Sequence, residues 1–280
     1  MGTIIELKNV TYDYLTGNKP FRALDGISFQ IKKGEYLALI GPNGSGKSSL
    51  ARHLNALLVP TSGEVWVDGL HTAQEEHHWE IRRRVGMVFQ NPDNQIVATT
   101  VEEDVAFGLE NIGVETEQIG PRVRAALEQV GLWHFRQHAP HLLSGGQKQR
   151  LAIAGVLAML PQCLVLDEPT AMLDPRGRSE VMATIWQMNR RMGITVVQIT
   201  HYLEEILEAD RVLVMDRGRI VRSGKPQEIF TGDIELEQFG LEIPTIPKLI
   251  RLLRTGGLKI SPQALNVHDL VDSLEESHPS

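Results

Sequence analysis

The chain has 280 residues, of which 42% are hydrophobic and 22% are charged, the usual balance of a folded globular protein. Its formal net charge of −7 argues against a nucleic-acid partner, because nucleic-acid-binding surfaces carry an excess of lysine and arginine. A single cysteine, Cys163, excludes an internal disulfide. No stretch reaches the roughly 20 apolar residues of a membrane-spanning helix, so any contact with a membrane is expected to run through a partner.

The first elements in chain order are strands. Apolar and polar residues alternate at 5–10 and again at 26–31, which predicts two antiparallel strands with one face in solvent. Residues 36–40 are uniformly apolar, which predicts a strand buried on both faces. A helix is predicted from Gly46 to about Leu58, ended by Pro60, and further strands at 64–69 and 85–89.

The middle of the chain changes character. Residues 101–160 are rich in Ala, Leu and Glu, with predicted breaks at Gly113, Gly120–Pro121 and Pro140. Strand patterns return at 163–168, 194–200 and 211–224. Strands that alternate with helices imply a parallel sheet, so the segment at about 95–160 is predicted to be a helical insert.

The octapeptide GPNGSGKS at 41–48 has the pattern G-x-x-x-x-G-K-[ST] of a phosphate-binding loop. Its glycines let backbone N–H groups turn inward around a phosphate without a Cβ clash. Lys47 can neutralise the β and γ oxygens, and the Ser48 hydroxyl can bind Mg²⁺. The predicted nucleotide contacts of this loop are Gly41, Pro42, Asn43, Gly44, Ser45, Gly46, Lys47, Ser48 and Ser49.

Four polar residues follow predicted buried strands. Asp167 is expected to hold Mg²⁺. Glu168 is expected to point the opposite way along the pleat and to take a proton from an attacking water. His201 is interpreted as a sensor that donates a hydrogen bond to the γ-phosphate, and Gln90 as a group that reaches the metal and the water. The predicted catalytic set is Lys47, Glu168 and His201, and the predicted metal set is Ser48, Gln90 and Asp167.

The base is predicted to be adenine. The Asn-Lys-x-Asp pattern of GTP-binding proteins is absent, since the nearest string, NKPF at 18–21, lacks the aspartate. Tyr14 precedes the phosphate loop and can stack on a purine, although aromatic residues on strands more often belong to the core.

A second anion-binding helix start occurs at LSGGQ, residues 143–147. Its N–H groups and hydroxyl can bind an anion, and the predicted contacts are Ser144, Gly145, Gly146 and Gln147. Because the phosphate loop is complete by itself, the γ-phosphate of another subunit is the expected ligand. Two chains that face head to tail would then complete each other's sites.

The ordered set GPNGSGKS, Gln90, LSGGQKQR, CLVLDEP, AMLDP and His201 resembles the ATP-binding cassette (ABC) family. The resemblance implies that Glu168 is the general base, that Asp174 lies in a loop crossing a dimer interface, and that ATP closes the dimer. Two departures, AMLD in place of S-A-L-D and Tyr202 in place of a frequent acidic residue, concern communication between sites more than hydrolysis.

The expected fold class is therefore α/β, a P-loop NTPase core with a mostly parallel sheet. The expected fold also has an N-terminal antiparallel β subdomain, a helical subdomain at about 95–160 and a small C-terminal extension. The expected boundaries are a nucleotide-binding domain at 1–224 and an extension at 225–280.

Three roles are open to such a cassette. Fusion to a transmembrane domain does not fit a sequence without spans. A mechanical ATPase acting on nucleic acid or ribosomes would carry a long coiled coil or a second cassette, and this chain has neither. The strings QNPDNQ and VEEDVAFGLEN resemble ATPase subunits of energy-coupling factor (ECF) transporters, which take up vitamins and metal ions.

The ECF resemblance implies several partners. They are a second ATPase subunit, identical or paralogous, a membrane scaffold contacted through the segment after Gln90, and a separate membrane subunit that binds the substrate. The expected location is the cytoplasmic face of the cell membrane, with the chain bound peripherally.

The tail has its own amphipathic pattern. Ile246, Leu249, Ile250 and Leu253 share one helical face, and Gly256–Gly257 is predicted to end that helix. Another helix is predicted with Ser261 as its cap and Pro262 at its first position. The apolar face either packs on its own cassette or pairs two subunits, as in the ECF family.

Overall fold

The computed structural model describes residues 2–16, 19–231, 236–258, 260–261 and 264–277. Its strands are β1 (Thr3–Thr16), β2 (Lys19–Lys32), β3 (Tyr36–Ile40), β4 (Ser62–Val67), β5 (Leu70–His71), β6 (Val85–Val88), β7 (Cys163–Asp167), β8 (Thr195–Ile199), β9 (Arg211–Asp216) and β10 (Arg219–Gly224). Its α-helices are α1 (Lys47–Leu54), α2 (His78–Arg84), α3 (Val101–Asn111), α4 (Thr116–Gln129), α5 (Gly145–Ala158), α6 (Pro175–Met192), α7 (Pro226–Thr231), α8 (Thr245–Thr255) and α9 (Val267–Ser277). Within those ranges, no helix combines the length and apolar character needed to cross a membrane.

The larger sheet is mostly parallel, as predicted. Its strand order is β10-β9-β3-β8-β7-β6, with β10 antiparallel to β9 and every other neighbouring pair parallel. Strands β3, β6, β7 and β8 are buried at every position, which explains their mostly apolar sequences. Because parallel strands end at one edge of a sheet, the segments that follow these four strands converge there.

The N-terminal sheet is antiparallel, with strand order β2-β1-β4-β5. The two predicted strands are confirmed, but they form a longer ribbon of 14 residues each. The pairing shifts register between Leu7 and Val10, where Asn9 has a φ of +48°. This irregularity interrupts the apolar alternation, which is why the sequence pattern indicated shorter strands.

Helix α1 is shorter than predicted, since it ends at Leu54 rather than near Leu58. Ala56 has a φ of +54°, a left-handed conformation that ends a helix. The Asn55 side chain accepts a hydrogen bond from the Leu57 backbone N–H at 3.3 Å and stabilises the turn. Pro60 therefore lies beyond a helix that has already ended.

Helices α3, α4 and α5 pack on one another within the main hydrophobic core. The predicted break at Gly120–Pro121 is wrong, because Pro121 lies inside α4. Both residues are exposed, so water can bond the helix carbonyl that proline leaves without a donor.

The C-terminal segment packs on its own cassette. Leu236, Leu241, Ile243 and Leu265 are buried in the main core. Helix α8 ends before Gly256, as predicted. Its apolar face divides, because Ile246, Ile250 and Leu253 join a small cluster with residues of α9 while Leu249 and Leu252 are exposed.

The last helix begins later than predicted, at Val267. Ser261 does not cap it, and Pro262 lies outside the described residues. Asn266 accepts a hydrogen bond from the Asp269 backbone N–H at 2.9 Å, so Asn266 provides the cap.

Candidate active site

The phosphate loop connects β3 to α1 with a backbone that only glycine allows. Gly41 has a φ of +150°, and a Cβ there would lie 2.2 Å from the Met215 carbonyl oxygen. Gly46 has a φ of +101°, and a Cβ there would lie 2.4 Å from the Ala23 carbonyl oxygen. These two contacts explain why the loop needs glycine at both positions.

Lys47 is buried at the start of α1, over the loop. Its Nζ donates hydrogen bonds to the carbonyl oxygens of Gly41 at 2.8 Å and Pro42 at 3.0 Å. Burial lowers the pKa of the ammonium, and the carboxylates of Glu168 and Asp167 partly oppose that shift. A cation held this way is suited to an anionic ligand, because phosphate oxygens can replace the two carbonyl acceptors.

Ser48 and Asp167 contact each other across the loop and β7, with Ser48 Oγ 3.1 Å from Asp167 Oδ1. Asp167 is buried, and burial raises the pKa of its carboxyl, while the Ser48 hydrogen bond lowers it. A hydroxyl and a carboxylate side by side are the hard oxygen donors that Mg²⁺ prefers. The two residues therefore fit the predicted magnesium site.

Glu168 leaves the strand, so the predicted pleat does not explain its direction. β7 ends at Asp167, and Glu168 has a φ of +52°, in the left-handed region. Its backbone N–H donates to the Ile199 carbonyl oxygen at 3.0 Å, at the end of β8. A non-glycine residue in this conformation costs on the order of 1–3 kcal/mol and persists only where its surroundings fix it.

The carboxylate of Glu168 joins the ends of three neighbouring strands. Gln90 Nε2 donates to its Oε2 at 2.9 Å, and His201 Nε2 lies 2.8 Å from its Oε1. Gln90 contacts this carboxylate directly, whereas its predicted contact with a metal stays a prediction. A cavity of about 170 Å³ lined by Glu168, His201 and Tyr202 adjoins the carboxylate, and it has room for several water molecules.

Tyr14 lies beside the start of α1. Its hydroxyl is 3.2 Å from Ser49 Oγ, and its ring packs edge-on against Tyr12 with centroids 4.8 Å apart. The ring is therefore next to the phosphate loop, although its stacking on a purine stays a prediction.

The segment 144–147 begins α5 with a reciprocal cap. Ser144 Oγ accepts from the Gln147 N–H at 3.3 Å, and Gln147 Oε1 accepts from the Ser144 N–H at 2.8 Å. Asp174 caps the adjacent α6 by accepting from the Gly177 N–H at 2.9 Å. Two helix N-termini therefore start side by side, which favours an anion in front of them.

A cavity of about 570 Å³ opens in front of these two helix starts. Its lining includes Ser144, Gly145, Gly146, Gln147 and Asp174, and none of the lining residues belongs to the phosphate loop. One chain thus holds the two predicted anion-binding elements at separate places, as expected if a neighbouring subunit supplies the second.

A buried carboxylate behind Glu168 and His201 was not predicted from the sequence. Glu205 accepts hydrogen bonds from Thr200 at 2.9 Å and from Thr170 at 2.6 Å. In the sequence it is one of several glutamates in HYLEEILEAD, a pattern that does not tell a buried glutamate from exposed ones. The spacing of Leu203 and Ile206, both buried, is the one signal that could have placed Glu205 beside the core.

The chain is similar in sequence to known transporter proteins. A family model described as ABC transporter matches residues 24–171. The energy-coupling factor transporter ATP-binding proteins EcfA1 of Clostridium perfringens and Bacillus subtilis are 52% and 48% identical over 273 and 271 residues. The aligned regions cover 97% of this chain in both, and 97% and 96% of the two relatives.

Two solved structures share the fold. The structure of cbiO1 from Clostridium perfringens, part of the ABC transporter complex cbiONQ, has a TM-score of 0.77 and 38% identity, covering 90% of this chain and 100% of that one. The dimeric post-hydrolysis state of the ATP-binding cassette MJ0796 bound to ADP and Pi has a TM-score of 0.73 and 34% identity, covering 80% and 99%. The chain belongs to the ABC transporter family, among the ATP-binding proteins of energy-coupling factor transporters.

Proposed function

We propose that this chain is the ATP-hydrolysing subunit of an energy-coupling factor transporter, which drives uptake of a vitamin or a metal ion through membrane partners. The observation that carries the proposal is the Glu168 carboxylate, held between Gln90 and His201. It directly follows the Ser48–Asp167 pair and adjoins a cavity large enough for water. This is the arrangement that hydrolysis of a bound triphosphate requires.

Each residue has a definite task in this mechanism. The loop amides and Lys47 bind the triphosphate, and Glu168 accepts a proton from the water that attacks the γ-phosphorus. His201 holds Glu168 in place before ATP binds and donates a hydrogen bond toward the γ-phosphate once ATP is bound. Ser48 and Asp167 would hold Mg²⁺, which would supply positive charge to neutralise the phosphate oxygens.

The segment 144–147 and Asp174 serve a second cassette, identical or paralogous. Two helix N-termini at one open cavity supply N–H donors for a γ-phosphate that the partner's phosphate loop holds. Bound ATP then lies between the subunits and attracts both, which closes a head-to-tail dimer. Hydrolysis removes this attraction and lets the pair open.

The segment after Gln90 is the proposed contact with the membrane scaffold subunit. Val97 and Phe107 are exposed apolar residues there. Asp104 Oδ1 accepts from the Val97 and Ala98 N–H groups at 2.8 and 3.1 Å, which fixes the loop beside α3. A separate membrane subunit binds the substrate, and the cassette acts peripherally at the cytoplasmic face.

The proposal is tested by hydrolysis in the Glu168→Gln variant of the assembled transporter. A glutamine keeps the side-chain volume but cannot accept the proton, so turnover should fall by about 10²–10⁴-fold while ATP binding persists. Glu117→Gln, an exposed site on α4, is the matched control and should hydrolyse ATP normally. Turnover of Glu168→Gln within a few-fold of wild type would exclude Glu168 as the base.

A further inference from the structure

Glu205 is a buried carboxylate directly behind the hydrolytic loops. It belongs to the helical turn at 203–206 that follows β8, and its side chain is only 5% exposed. Burial raises the pKa of its carboxyl, and hydrogen bonds from Thr170 and Thr200 oppose that rise. A carboxylate is costly to bury unless both of its oxygens are well bonded, so its partners show what keeps it there.

The two oxygens of Glu205 bond two different loops. Oε1 accepts from Thr170 Oγ1 at 2.6 Å, and Oε2 accepts from Thr200 Oγ1 at 2.9 Å. Oε2 also accepts from Gln198 Nε2, on β8, at 2.9 Å. Thr170 lies two residues after Glu168, and Thr200 immediately precedes His201. One carboxylate therefore bridges the loop after β7 and the loop after β8, behind the point where Glu168 and His201 meet.

Both loops need such a constraint. Glu168 has the left-handed backbone described above, which persists only if neighbouring groups hold it. Thr200 Oγ1 also accepts from the Tyr202 backbone N–H at 3.0 Å, so this hydroxyl fixes the turn that carries His201. The hydroxyl of Thr200 thus connects that turn to Glu205.

A further contact connects Glu205 to helix α6. Arg178 Nε lies 3.7 Å from Glu205 Oε1, and the guanidinium carbon of Arg178 lies 3.4 Å from the centroid of the Tyr202 ring. The guanidinium therefore contacts both a carboxylate and an aromatic face. Arg178 is in the first turn of α6, whose cap is Asp174.

We propose that Glu205 is a positioning residue of the hydrolytic site. It holds the loops of Glu168 and His201 in contact, and through Arg178 it links them to the loop of Asp174. The inference rests on the proposed function, because this positioning matters only if Glu168 and His201 take part in hydrolysis. Glu205 contacts these loops, Gln198 of β8 and Arg178 of α6, and it does not contact the phosphate loop, so its loss should lower kcat and spare ATP binding.

The hydroxyls of Thr170 and Thr200 allow a test with matched substitutions. Thr170→Val and Thr200→Val keep the side-chain shape and remove the donor to Glu205, whereas the Thr→Ser variants keep the donor. On the assembled transporter, each valine variant and Glu205→Gln should lower kcat about 10–100-fold, as expected when reacting groups are misplaced by about 1 Å. The serine variants should recover most of that loss, and the ATP dissociation constant should not change.

Glu204→Gln is the control, since Glu204 is the exposed neighbour of Glu205 and should keep the wild-type kcat. Wild-type kcat in Glu205→Gln and in both valine variants would overturn the proposal. A weakened ATP affinity with unchanged kcat would also overturn it. If Glu205→Gln does not fold, as shown by thermal unfolding, the paired threonine variants decide the question alone.

A double substitution distinguishes positioning from a general loss of stability. If Thr200 acts through His201, Thr200→Val should reduce kcat little further once His201→Ala is present. If the fold-losses in kcat of Thr200→Val and His201→Ala multiply fully in the double variant, positioning through His201 is contradicted. Undiminished turnover in Glu168→Gln would refute the proposed function together with this role, whereas undiminished turnover in Glu205→Gln and in both valine variants would refute only the positioning.

Discussion

His201 Nε2 lies 2.8 Å from Oε1 of Glu168, so the residues after β8 and β7 share one hydrogen bond. A carboxylate accepts, so this ring nitrogen donates, and its single proton can be directed either at Glu168 or at a phosphate oxygen. In the proposed mechanism, this contact orients the base before ATP arrives. It also places the hydrogen-bond donor to the γ-phosphate beside the group that activates water.

Lys47→Ala should weaken ATP binding itself. The ammonium bonds two loop carbonyls that phosphate oxygens would replace. A hydrogen bond to a charged group contributes about 1.5–3 kcal/mol, so affinity should fall by about 10–100-fold. Titration of the purified variant with nucleotide measures the loss, and Lys8→Ala, an exposed lysine on β1, is the control. Unchanged affinity would show that the loop at 41–48 is not the nucleotide site.

The free energy of unfolding should fall as pH drops below about 6.5 because of His53. Burial in α1 lowers the pKa of His53 from 6.5 in the folded protein, although hydrogen bonds to backbone carbonyls oppose that shift. Below pH 6.5 the unfolded chain therefore takes up a proton that the folded chain does not. As the pH falls, the free energy of unfolding therefore decreases by up to about 1.4 kcal/mol per pH unit, until the pKa of His53 in the folded protein is reached.

Denaturant unfolding between about pH 5 and 7.5 measures this slope. His53→Phe keeps an aromatic ring beside Tyr12 and cannot titrate, so its stability should depend less on pH. His134→Phe, the same change at an exposed residue, should keep the wild-type slope. Equal slopes in all three proteins would mean that His53 is not the responsible group.

Much of this site could be predicted because its residues follow buried strands. Asp167, Gln90 and His201 lie within two residues of the end of a buried strand, and Lys47 follows the loop after β3. Parallel strands bring such ends together. The contact between Gln90 and Glu168 was not predicted, because it depends on the left-handed backbone of Glu168. That conformation is set by the neighbouring β8 and not by local sequence.

Three predictions of the fold were wrong for identifiable reasons. Helix α1 ends early because the backbone of Ala56 is left-handed, and the sequence has no glycine at this position that would predict such a conformation. Pro121 is tolerated inside α4 because that part of the helix is exposed. The last helix uses Asn266 as its cap although Ser261 and Pro262 form the more familiar pattern. At Pro121 exposure to solvent outweighs a local helix-breaking signal, whereas at the last helix one local cap replaces another.

Leu252→Glu should weaken pairing of the cassettes if the tail joins two subunits. Leu252 on α8 is 64% exposed, and Leu249, Val267 and Val271 are further exposed apolar residues of the tail. An exposed apolar surface of this kind is typical of a contact between proteins. Arg254→Gln on the same helix changes the net charge equally and is the control. Crosslinking of the pair measures the effect.

ATP affinity and thermal unfolding of Leu252→Glu should match the wild type, because the leucine is not in the core. If pairing is unaffected by Leu252→Glu, the tail packs on its own cassette only. The expected pattern is therefore a loss of pairing without a loss of fold.

Gly145→Asp should prevent closure of the cassette pair. Gly145 is the first residue of α5, where a carboxylate is compatible with the helix, and a Cβ there meets only Leu173 Cδ2 at 3.4 Å. The fold should therefore persist, while the new charge repels an approaching γ-phosphate. In the Glu168→Gln background, which should trap ATP, the variant should stay open with ATP and Mg²⁺. Gly145→Asn adds a side chain of similar size without the charge, so it separates the effect of the negative charge from the effect of the added volume.

A mixed pair decides whether the segment 144–147 acts on the neighbouring subunit. One cassette carries Lys47→Ala and the other, distinguished by a tag, carries Gly145→Asp. If the segment acts in trans, both lesions fall in one composite site and the second site stays whole, so one ATP should bind and be enclosed. If it acts within its own chain, each site carries one lesion and neither closes normally. Counting trapped nucleotide per pair separates the two results, and a count of none would refute action in trans.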